Sequence, residues 1–197
     1  VVKSTVVPGT TQSVIKPAIE RFSGLKAGKD FGLTVNPEFL REGSAVSDML
    51  HPDRIVIGEY DGQSGNALEN LYRNFYGDKC PPILRTSLSS AEMVKYASNA
   101  FLATKISFIN EIANICERIN GLDVKEIAQG MGLDYRIGKH FLNAGLGFGG
   151  SCFPKDTKAI LKIAEGVGYH FQIVDAVIKV NEAQWRRMVD KIQRAVG

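Results

Sequence analysis

The sequence is poor in the residues that mark metal-binding, disulfide-linked and membrane proteins. Its 197 residues include three cysteines and three histidines, and no two cysteines form a C-x-x-C pair. A structural zinc site and a disulfide framework are therefore disfavoured, and a reducing cytoplasm is the expected compartment. No apolar run approaches the roughly 20 residues that cross a bilayer, and the first residues do not resemble a secretory signal. We therefore expect no metal, no membrane span and no secretion.

Charged residues are scattered along the chain and form no long run of one sign. The 24 basic and 21 acidic residues leave a net charge of +3. No basic arm of the kind that binds nucleic acid or an anionic membrane surface is present. A hydrophobic content of 44% is typical of a globular protein, and the length suits one or two domains.

The first 87 residues alternate between strand and helix patterns. Strand-like runs occupy Val1–Val7, Leu33–Val35, Arg54–Gly58 and Pro82–Thr86. Between them we expect a helix that reaches Arg21, capped by Thr11 or Ser13, and a second helix over residues 64–75. This alternation predicts an α/β layer with a mainly parallel sheet.

Residues 88–197 show helical patterns only. Residues 90–120 contain no Gly or Pro and carry apolar side chains at steps of three and four. This pattern predicts one helix of about 45 Å, at roughly 1.5 Å per residue. Asp123 is expected to cap a short helix that ends near Gly130, and two more helices should cover residues 154–166 and 173–195. A helix this long must pack against other apolar side chains along its length. These side chains belong either to the core of the same chain or to a second copy of the chain.

A glycine-rich loop lies ahead of the first of those last two helices. Gly145, Gly147 and Gly150 match the dinucleotide pattern G-x-G-x-x-G literally. We reject that interpretation because residues 135–144 show no strand alternation and the following residues are helical. The glycines still allow backbone N–H groups to approach a ligand closely, and a phosphate-bearing ligand is compatible with this loop.

Cys152 follows this loop directly and is a candidate nucleophile. Pro154 suits the first turn of a helix, so the thiol would lie at a helix N-terminus with Lys155 nearby. Such surroundings are typical of cysteines that react. The alternative is a buried cysteine that acts only as a small apolar side chain. We expect this of Cys116, and we expect Cys80 to lie in a loop.

Two carboxylates stand near the end of a predicted strand. Asn36 is a good N-cap, Pro37 a good first helical residue and Gly43 a good stop, so a short helical turn is expected there. Glu38 and Glu42 would then project from the same face of that turn. Ligands of open α/β sheets bind at the carboxyl ends of strands. The alternative is that both carboxylates are solvated.

Lys95 and Asn99 are four residues apart on the predicted long helix. Lys95 interrupts an apolar neighbourhood, and both side chains could face a cleft. An ammonium and an amide together can stabilise a developing oxyanion. The alternative is a solvated helix face.

Five segments, taken in order, resemble the nucleotide-sugar 6-dehydrogenase family that contains UDP-glucose and GDP-mannose dehydrogenases. They are Lys3–Thr5, Asn36–Gly43, His51–Arg54, Lys95–Phe101 and Gly147–Asp156. The resemblance covers nearly the whole chain, and five segments in the family's order are specific. It implies a partial Rossmann-like NAD-binding domain over residues 1–87, joined by the long helix to a helical dimerisation domain over residues 88–197. The family's first βαβ unit and its last domain have no counterpart here, so we expect a fragment that is inactive alone.

The resemblance implies an NAD-dependent double oxidation of UDP-glucose to UDP-glucuronate, with GDP-mannose or another nucleotide sugar as the alternative. The alcohol becomes an aldehyde, and Cys152 adds to it as a thiohemiacetal. Oxidation of that adduct yields a thioester that water hydrolyses. The implied roles are oxyanion stabilisation by Lys95 and Asn99, water binding by Asp156 with Lys95, base catalysis of hydrolysis by Glu38, and positioning of its water by Thr5.

The same resemblance assigns residues to the ligands. Those near NAD would be Ser4, Thr5, Val6, Glu42 and Lys155. Those that contact the substrate would be Glu38, Phe39, Leu40, Arg41, Glu42, Lys95, Asn99, Arg136, Asn143, Ala144, Gly145, Leu146, Gly147, Phe148 and Gly149. Arg136 would reach into the substrate site of the partner subunit, so each site would need both subunits of the homodimer.

Two other interpretations remain open. The chain could be a non-catalytic dimerisation module, although every chemical position holds the expected residue type. It could also be a cysteine-dependent acyl-transfer enzyme, which would need a histidine base. None of the three histidines stands in a motif that recommends it for that role.

Overall fold

A computed structural model describes residues 1–197 and divides them into two compact units, Val1–Lys95 and Tyr96–Gly197. The elements are a π-helical turn (Thr11–Ile15), α1 (Lys16–Ser23), β1 (Thr34–Val35), α2 (Ala45–Leu50), β2 (Ile55–Glu59), α3 (Gly62–Tyr76), a 3₁₀ turn (Gly77–Lys79), β3 (Ile83–Ser87), α4 (Leu88–Cys116), α5 (Val124–Gly132), α6 (Phe153–Gly166) and α7 (Gln172–Val196). This order confirms the predicted α/β layer followed by helices. The domain boundary near residue 88 stays a prediction.

The sheet has the order β1-β2-β3 and is mixed, whereas a mainly parallel sheet was expected. β2 and β3 are parallel, with Ile55 opposite Ile83. β1 runs antiparallel to β2, with Val35 opposite Gly58. Parallel neighbours need a crossover connection, which is usually a helix. The 15-residue α3 supplies one between β2 and β3, but the connection from β1 to β2 contains only the six-residue α2.

The predicted strand over residues 1–7 is reduced to a single bridging residue. Val2 pairs with β1 in a parallel bridge to Val35, with its N–H donating to the Thr34 carbonyl at 2.7 Å. The Asn36 N–H donates in turn to the Val2 carbonyl at 2.8 Å. From Lys3 onwards the chain has left the sheet.

The helical segment that follows is capped by a side chain from far along the sequence. Glu92 of α4 is 3% exposed, and its carboxylate accepts the N–H groups of Gly9 at 2.5 Å and Thr11 at 2.9 Å. The predicted capping by Thr11 or Ser13 is therefore wrong, and the Ser13 hydroxyl donates to the Gly9 carbonyl. A buried carboxylate satisfies the first N–H groups of the segment as a local cap would.

The core of the Val1–Lys95 unit lies on both faces of β2. Val56 packs on one face in a cluster with Leu33, Val35, Leu88 and Ala91. Ile55 and Ile57 point to the other face and pack on Leu68 of α3. Burial on both faces explains why Ile55, Val56 and Ile57 of β2 form an uninterrupted apolar run.

The Tyr96–Gly197 unit contains the rest of α4 with α5, α6 and α7. Its buried side chains include Ala103, Ile109, Ile160, Val174 and Val177. The predicted helices are confirmed, and Asp123 caps α5 by accepting the Lys125 N–H at 2.7 Å. No helix combines the length and apolar character that a bilayer crossing requires.

The long helix α4 ends earlier than residue 120, the end of the predicted helix, and so before the first following glycine, Gly121. It stops at Cys116, five residues before Gly121. The N–H groups of Arg118 and Ile119 bond to carbonyls three residues earlier, at 2.9 and 3.3 Å. This tighter pattern ends the α-helix before Gly121 is reached.

Gly58 of β2 leaves no space for a side chain. A Cβ at this position would lie 2.6 Å from the Ala91 Cβ. We expect Gly58→Ala to lower the free energy of unfolding by about 1–3 kcal/mol through overpacking, measured by urea denaturation. The matched control is Gly62→Ala in the first turn of α3, where a Cβ meets nothing within 4 Å. It should be neutral or stabilise by up to about 1 kcal/mol, and equal effects at both positions would contradict the tight contact of β2 with α4.

Candidate functional site

Glu38 and Lys95 form an ion pair within the Val1–Lys95 unit. The Lys95 Nζ lies 3.1 Å from Glu38 Oε1, and the Lys95 side chain is 5% exposed. Glu38 Oε2 accepts the Leu40 N–H at 2.7 Å, so a backbone bond also holds the carboxylate. The Phe39 ring adds a cation–π contact, with the Lys95 Nζ 5.5 Å from its centroid. The Arg54 guanidinium lies 4.0 Å from the same centroid.

Asn36 binds into the sheet and does not cap a helix. Its Nδ2 donates to the Val56 carbonyl at 2.9 Å, and its Oδ1 accepts from Lys3 Nζ at 2.7 Å and from the Tyr72 hydroxyl. The predicted helical turn over residues 36–43 is therefore wrong, and the next helix begins at Ala45. The side chain of Asn36 is hydrogen-bonded within the sheet, so it cannot cap a helical turn over the residues that follow.

Glu38 and Glu42 consequently do not share a helix face. The backbone of residues 37–41 is irregular, and Glu42 lies exposed in the turn that precedes α2. Lys3 is a second lysine that interacts electrostatically with Glu38. Burial lowers the pKa of Lys3, and the negative charge of the Glu38 carboxylate opposes that shift. The carboxylate of Glu38 thus lies in the field of two ammonium groups.

The neighbouring candidates are on the surface of the same unit. Arg41 pairs with Asp48 at 2.5 Å, and its side-chain and backbone hydrogen bonds hold the pKa of that carboxyl well below its usual value. Leu40 is 40% exposed. Three of the five predicted cofactor residues lie on the segment that leaves the sheet after Val2, with Ser4 exposed and both Thr5 and Val6 partly buried.

Asp156 is the central group of a second cluster, within the Tyr96–Gly197 unit. It is 1% exposed, and its Oδ2 accepts the Asn99 Nδ2 at 2.6 Å. Its Oδ1 accepts the Lys155 Nζ at 2.5 Å, and this hydrogen bond raises the pKa of Lys155. Asn99 is itself 7% exposed, and its amide carries a second N–H. A buried carboxylate therefore orients an amide and an ammonium.

Cys152 lies at the N-cap position of α6, as the sequence predicted. It is exposed, it is a free thiol, and its Sγ is 3.6 Å from the Ser151 Oγ. The Asp156 N–H donates to the Cys152 carbonyl at 2.8 Å. The first turn of α6 thus carries an accessible thiol and, one turn later, the buried carboxylate.

The remaining candidates surround the glycine-rich loop of the same unit. Arg136 is exposed and pairs with Asp134 at 2.6 Å. Asn143, Ala144, Gly145, Leu146 and Gly149 are exposed, and Gly147 and Phe148 are partly buried. The structure brings Asn99, Lys155 and Asp156 into one cluster and Glu38, Phe39 and Lys95 into another.

Sequence reasoning missed the polar residues that support these groups. They are Glu92, Asn110, Asn181 and Gln184. A signal for Asn110 was present, because Asn99, Ala103, Ser107 and Asn110 recur at steps of four and three on α4, all of them less than 9% exposed. Small and polar residues with this spacing indicate a polar buried face.

The link between Asp156 and Lys155 can be tested by titration. We expect Asp156→Asn to lower the pKa of Lys155 towards the ordinary value of 10.5, because the anionic acceptor is lost. Since the folded pKa of Lys155 is raised, its stabilising effect is complete below the unfolded pKa and disappears as the pH rises through the folded value. NMR of ¹³C-methylated lysines measures the shift.

Asp175→Asn is the matched control for this titration. Asp175 holds Lys179 of α7 at 2.7 Å in the same way. This control should leave the titration of Lys155 unchanged. An unchanged Lys155 titration in Asp156→Asn would show that the pair does not exist in solution.

Comparisons with known proteins identify the family. Residues 1–76 match the NAD binding domain of the UDP-glucose/GDP-mannose dehydrogenase family, and residues 89–183 match its central domain. The first match confirms NAD as the predicted cofactor. UDP-glucose 6-dehydrogenase YwqF of Bacillus subtilis (strain 168) is 52% identical over 197 residues, which are 100% of this chain and 43% of that protein.

Two solved structures show the same fold. A UDP-glucose dehydrogenase from the hyperthermophilic archaeon Pyrobaculum islandicum has a TM-score of 0.89 at 45% identity, over 99% of this chain and 43% of that one. A GDP-mannose dehydrogenase from Pseudomonas aeruginosa has a TM-score of 0.65 at 39% identity, over 98% and 43%. The chain spans between 41% and 45% of the length of the curated relatives that it matches. With both domain models matched in order, the chain belongs to the UDP-glucose/GDP-mannose dehydrogenase family.

Proposed function

We propose that the whole enzyme to which this chain belongs oxidises the C6 alcohol of UDP-glucose to the carboxylate of UDP-glucuronate. Residues 1–87 would serve the cofactor, and residues 88–197 would form the helical dimerisation domain. The observation that carries the proposal is the exposed Cys152 thiol at the start of α6, one turn ahead of the buried Asp156–Asn99 pair. UDP-glucose is favoured over GDP-mannose by the higher identity and TM-score of the relative named for it.

The residues after Val2 fit one part of a site for NAD. Val2 is bridged in parallel to Val35, so Ser4–Val6 lie beyond the carboxyl end of that segment, where α/β sheets bind ligands. The G-x-G-x-x-G pattern of this chain lies instead on the loop before α6 and follows no strand. Ser4, Thr5, Val6, Glu42 and Lys155 would hold the cofactor. When bound, NAD removes two electrons and a hydrogen from C6 in each oxidation.

Cys152 would act after the first oxidation. Addition of its thiol to the aldehyde forms a carbon–sulfur bond, and the thiol proton ends on the oxygen as a thiohemiacetal. Loss of two electrons with the carbon-bound hydrogen, and of the hydroxyl proton, leaves a thioester on Sγ. The aldehyde itself has no hydroxyl proton to lose, so covalent addition makes the second oxidation possible. We assign the reaction to the cytoplasm, where the thiol remains reduced.

Lys95, Asn99 and Asp156 would stabilise the oxygen that becomes charged. Asn99 has a second N–H besides the one on Asp156, and the Lys95 ammonium has three donors, of which one contacts Glu38. Both side chains are largely buried, which strengthens an interaction with a developing anion. Asp156 would orient Asn99 and, with Lys95, bind a water molecule.

Glu38 would act in the hydrolysis of the thioester. Its carboxylate is fixed by Lys95 and the Leu40 N–H and is 30% exposed, so water can reach it. As a base it takes a proton from a water molecule while the water oxygen adds to the thioester carbon. The carbon–sulfur bond then breaks, and the sulfur of Cys152 leaves as the thiol when it regains a proton. Thr5 would help to bind that water molecule. Residues 38–42, Arg136 and the loop 143–149 would contact the nucleotide sugar.

The covalent mechanism is testable by mass spectrometry of the intact enzyme. Glu38→Gln should accumulate a thioester adduct on Cys152 during turnover, because its hydrolysis lacks a base. Cys152→Ser should form no adduct and should lower kcat for glucuronate by at least about 10³-fold, as expected for the loss of a nucleophile. Cys116→Ser, at a partly buried thiol on α4, is the matched control and should retain activity.

Two results would contradict this mechanism. Undiminished glucuronate formation by Cys152→Ser would remove the cysteine from the reaction. A free Cys152 thiol throughout turnover of Glu38→Gln would remove Glu38 from the hydrolysis step.

Exposed apolar side chains on the long helix support the proposed homodimer. Phe101, Phe108 and Ile115 of α4 are seven residues apart and are 66%, 49% and 49% exposed. On α7, Trp185 and Ile192 are also seven apart and are 51% and 58% exposed. Apolar residues with this spacing are typical of helices that pack against a partner helix. A second copy of the chain would cover these stripes and bring Arg136 to its partner's substrate.

Light scattering coupled to size-exclusion chromatography tests the dimer. We expect a dimer for the unsubstituted protein and a monomer for Phe108→Asp, because a charge would be buried in the interface. Lys158→Glu, an exposed change on α6, should remain dimeric. A monomeric unsubstituted protein would contradict the role assigned to these stripes.

A further inference from the structure

Side-chain amides hold the loop that the proposed function assigns to the sugar. The Gly145 N–H donates to Asn110 Oδ1 at 2.7 Å, and its carbonyl accepts from Gln184 Nε2 at 2.9 Å. The Phe148 N–H donates to Asn181 Oδ1 at 2.7 Å, and its carbonyl accepts from Asn181 Nδ2 at 3.0 Å. We call Asn110, Asn181 and Gln184 the amide clamp. It satisfies the N–H and the carbonyl of both loop residues, as a neighbouring strand would.

The clamp is built into the helical core. Asn110 is 0% exposed and Gln184 is 4% exposed. Gln184 is fixed in turn by Asn114, whose Nδ2 donates to Gln184 Oε1 at 3.0 Å. Buried amides are unfavourable unless they are hydrogen-bonded, and the Nδ2 of Asn110 has no partner. Stability alone would be served as well by apolar side chains at these positions, so the amides indicate a requirement of the loop.

Gly147 shows how closely the clamp and the loop depend on each other. Its φ is +106°, a conformation that favours glycine. A Cβ on Gly147 would lie 2.4 Å from the Asn181 Oδ1. The glycine therefore allows both the turn of the loop and the approach of the amide that fixes it.

The opposite side of the loop is accessible to a ligand. Leu146 is 64% exposed, and Asn143, Ala144 and Gly149 are exposed as well. The clamp thus restrains the loop from the core side and leaves its outer side open. A loop that is already ordered loses less conformational entropy when a ligand binds.

We propose that Asn110, Asn181 and Gln184 are positioning residues that hold the loop in the conformation that receives the sugar of the substrate. This inference rests on the proposed function. It predicts that affinity for the nucleotide sugar depends on the clamp, whereas affinity for NAD does not. A merely structural role would change both together.

Asn181→Ala and Asn181→Asp test the proposal in the whole enzyme. The aspartate keeps the acceptor for the Phe148 N–H but places an anionic oxygen against the Phe148 carbonyl, so it should not restore the clamp. Each variant should raise the KM for UDP-glucose about tenfold, which corresponds to about 1.4 kcal/mol, with the KM for NAD unchanged. Gln193→Ala, at an exposed position on the same helix, is the matched control and should leave both KM values unchanged.

Hydrogen–deuterium exchange of the free enzyme gives a readout without turnover. Deuterium uptake in a peptide that covers residues 145–148 should rise in both Asn181 variants, while uptake in α5 should not change. Should the Asn181 variants fail to fold, Gln184→Met, which keeps the shape of the side chain without its polar atoms, takes their place. Its loop uptake and its KM for UDP-glucose should rise in the same way.

Three outcomes overturn the inference. Unchanged loop uptake in a folded variant means that the clamp does not hold the loop. Raised uptake with an unchanged KM for UDP-glucose means that the clamp serves stability only. If the unsubstituted enzyme does not oxidise UDP-glucose, the proposed function fails, and the inference fails with it. Normal oxidation by the unsubstituted enzyme together with either of the first two results overturns the inference alone.

Discussion

The burial of the Asp156 carboxylate is the constraint on which the chemistry of the helical unit depends. A charge that is 1% exposed must be paired, and here an amide from α4 and an ammonium from α6 do so. Because the pairing is obligatory, the carboxylate fixes the orientation of Asn99 on the helix that carries it. The Cys152 thiol lies one turn earlier on α6, so one short segment holds both the nucleophile and the group that orients its partners.

The same principle applies to several other buried polar side chains. Glu92 binds the first N–H groups of the segment that leads into α1, and Asn36 binds the Val56 carbonyl inside the sheet. The amide clamp satisfies the peptides of the glycine-rich loop. In each case a polar side chain supplies a hydrogen bond that a backbone group would supply in regular secondary structure. Irregular segments carry most of the residues proposed to contact the ligands.

Much of the fold and several site residues were predictable, and the failures have a common cause. Apolar periodicity located α3, α4, α6 and α7, because burial of an apolar stripe dominates helix formation. The turn expected at Asn36 and the cap expected at Thr11 or Ser13 failed because capping rules consider only neighbours in sequence. In the folded chain, Asn36 was taken by the sheet and the N–H groups near Thr11 by Glu92, 81 residues away.

The sequence itself determined the features that depend on local patterns. These are the order of elements, the five motif segments, the free thiol at the start of a helix and the family. The tertiary structure alone decided which charged and polar groups pair across the sequence: Glu38 with Lys95, Asp156 with Asn99, and the loop peptides with Asn110, Asn181 and Gln184. A hydrogen bond requires its two groups within about 3 Å of each other. Only the tertiary packing of segments that are distant in sequence brings these groups to that distance.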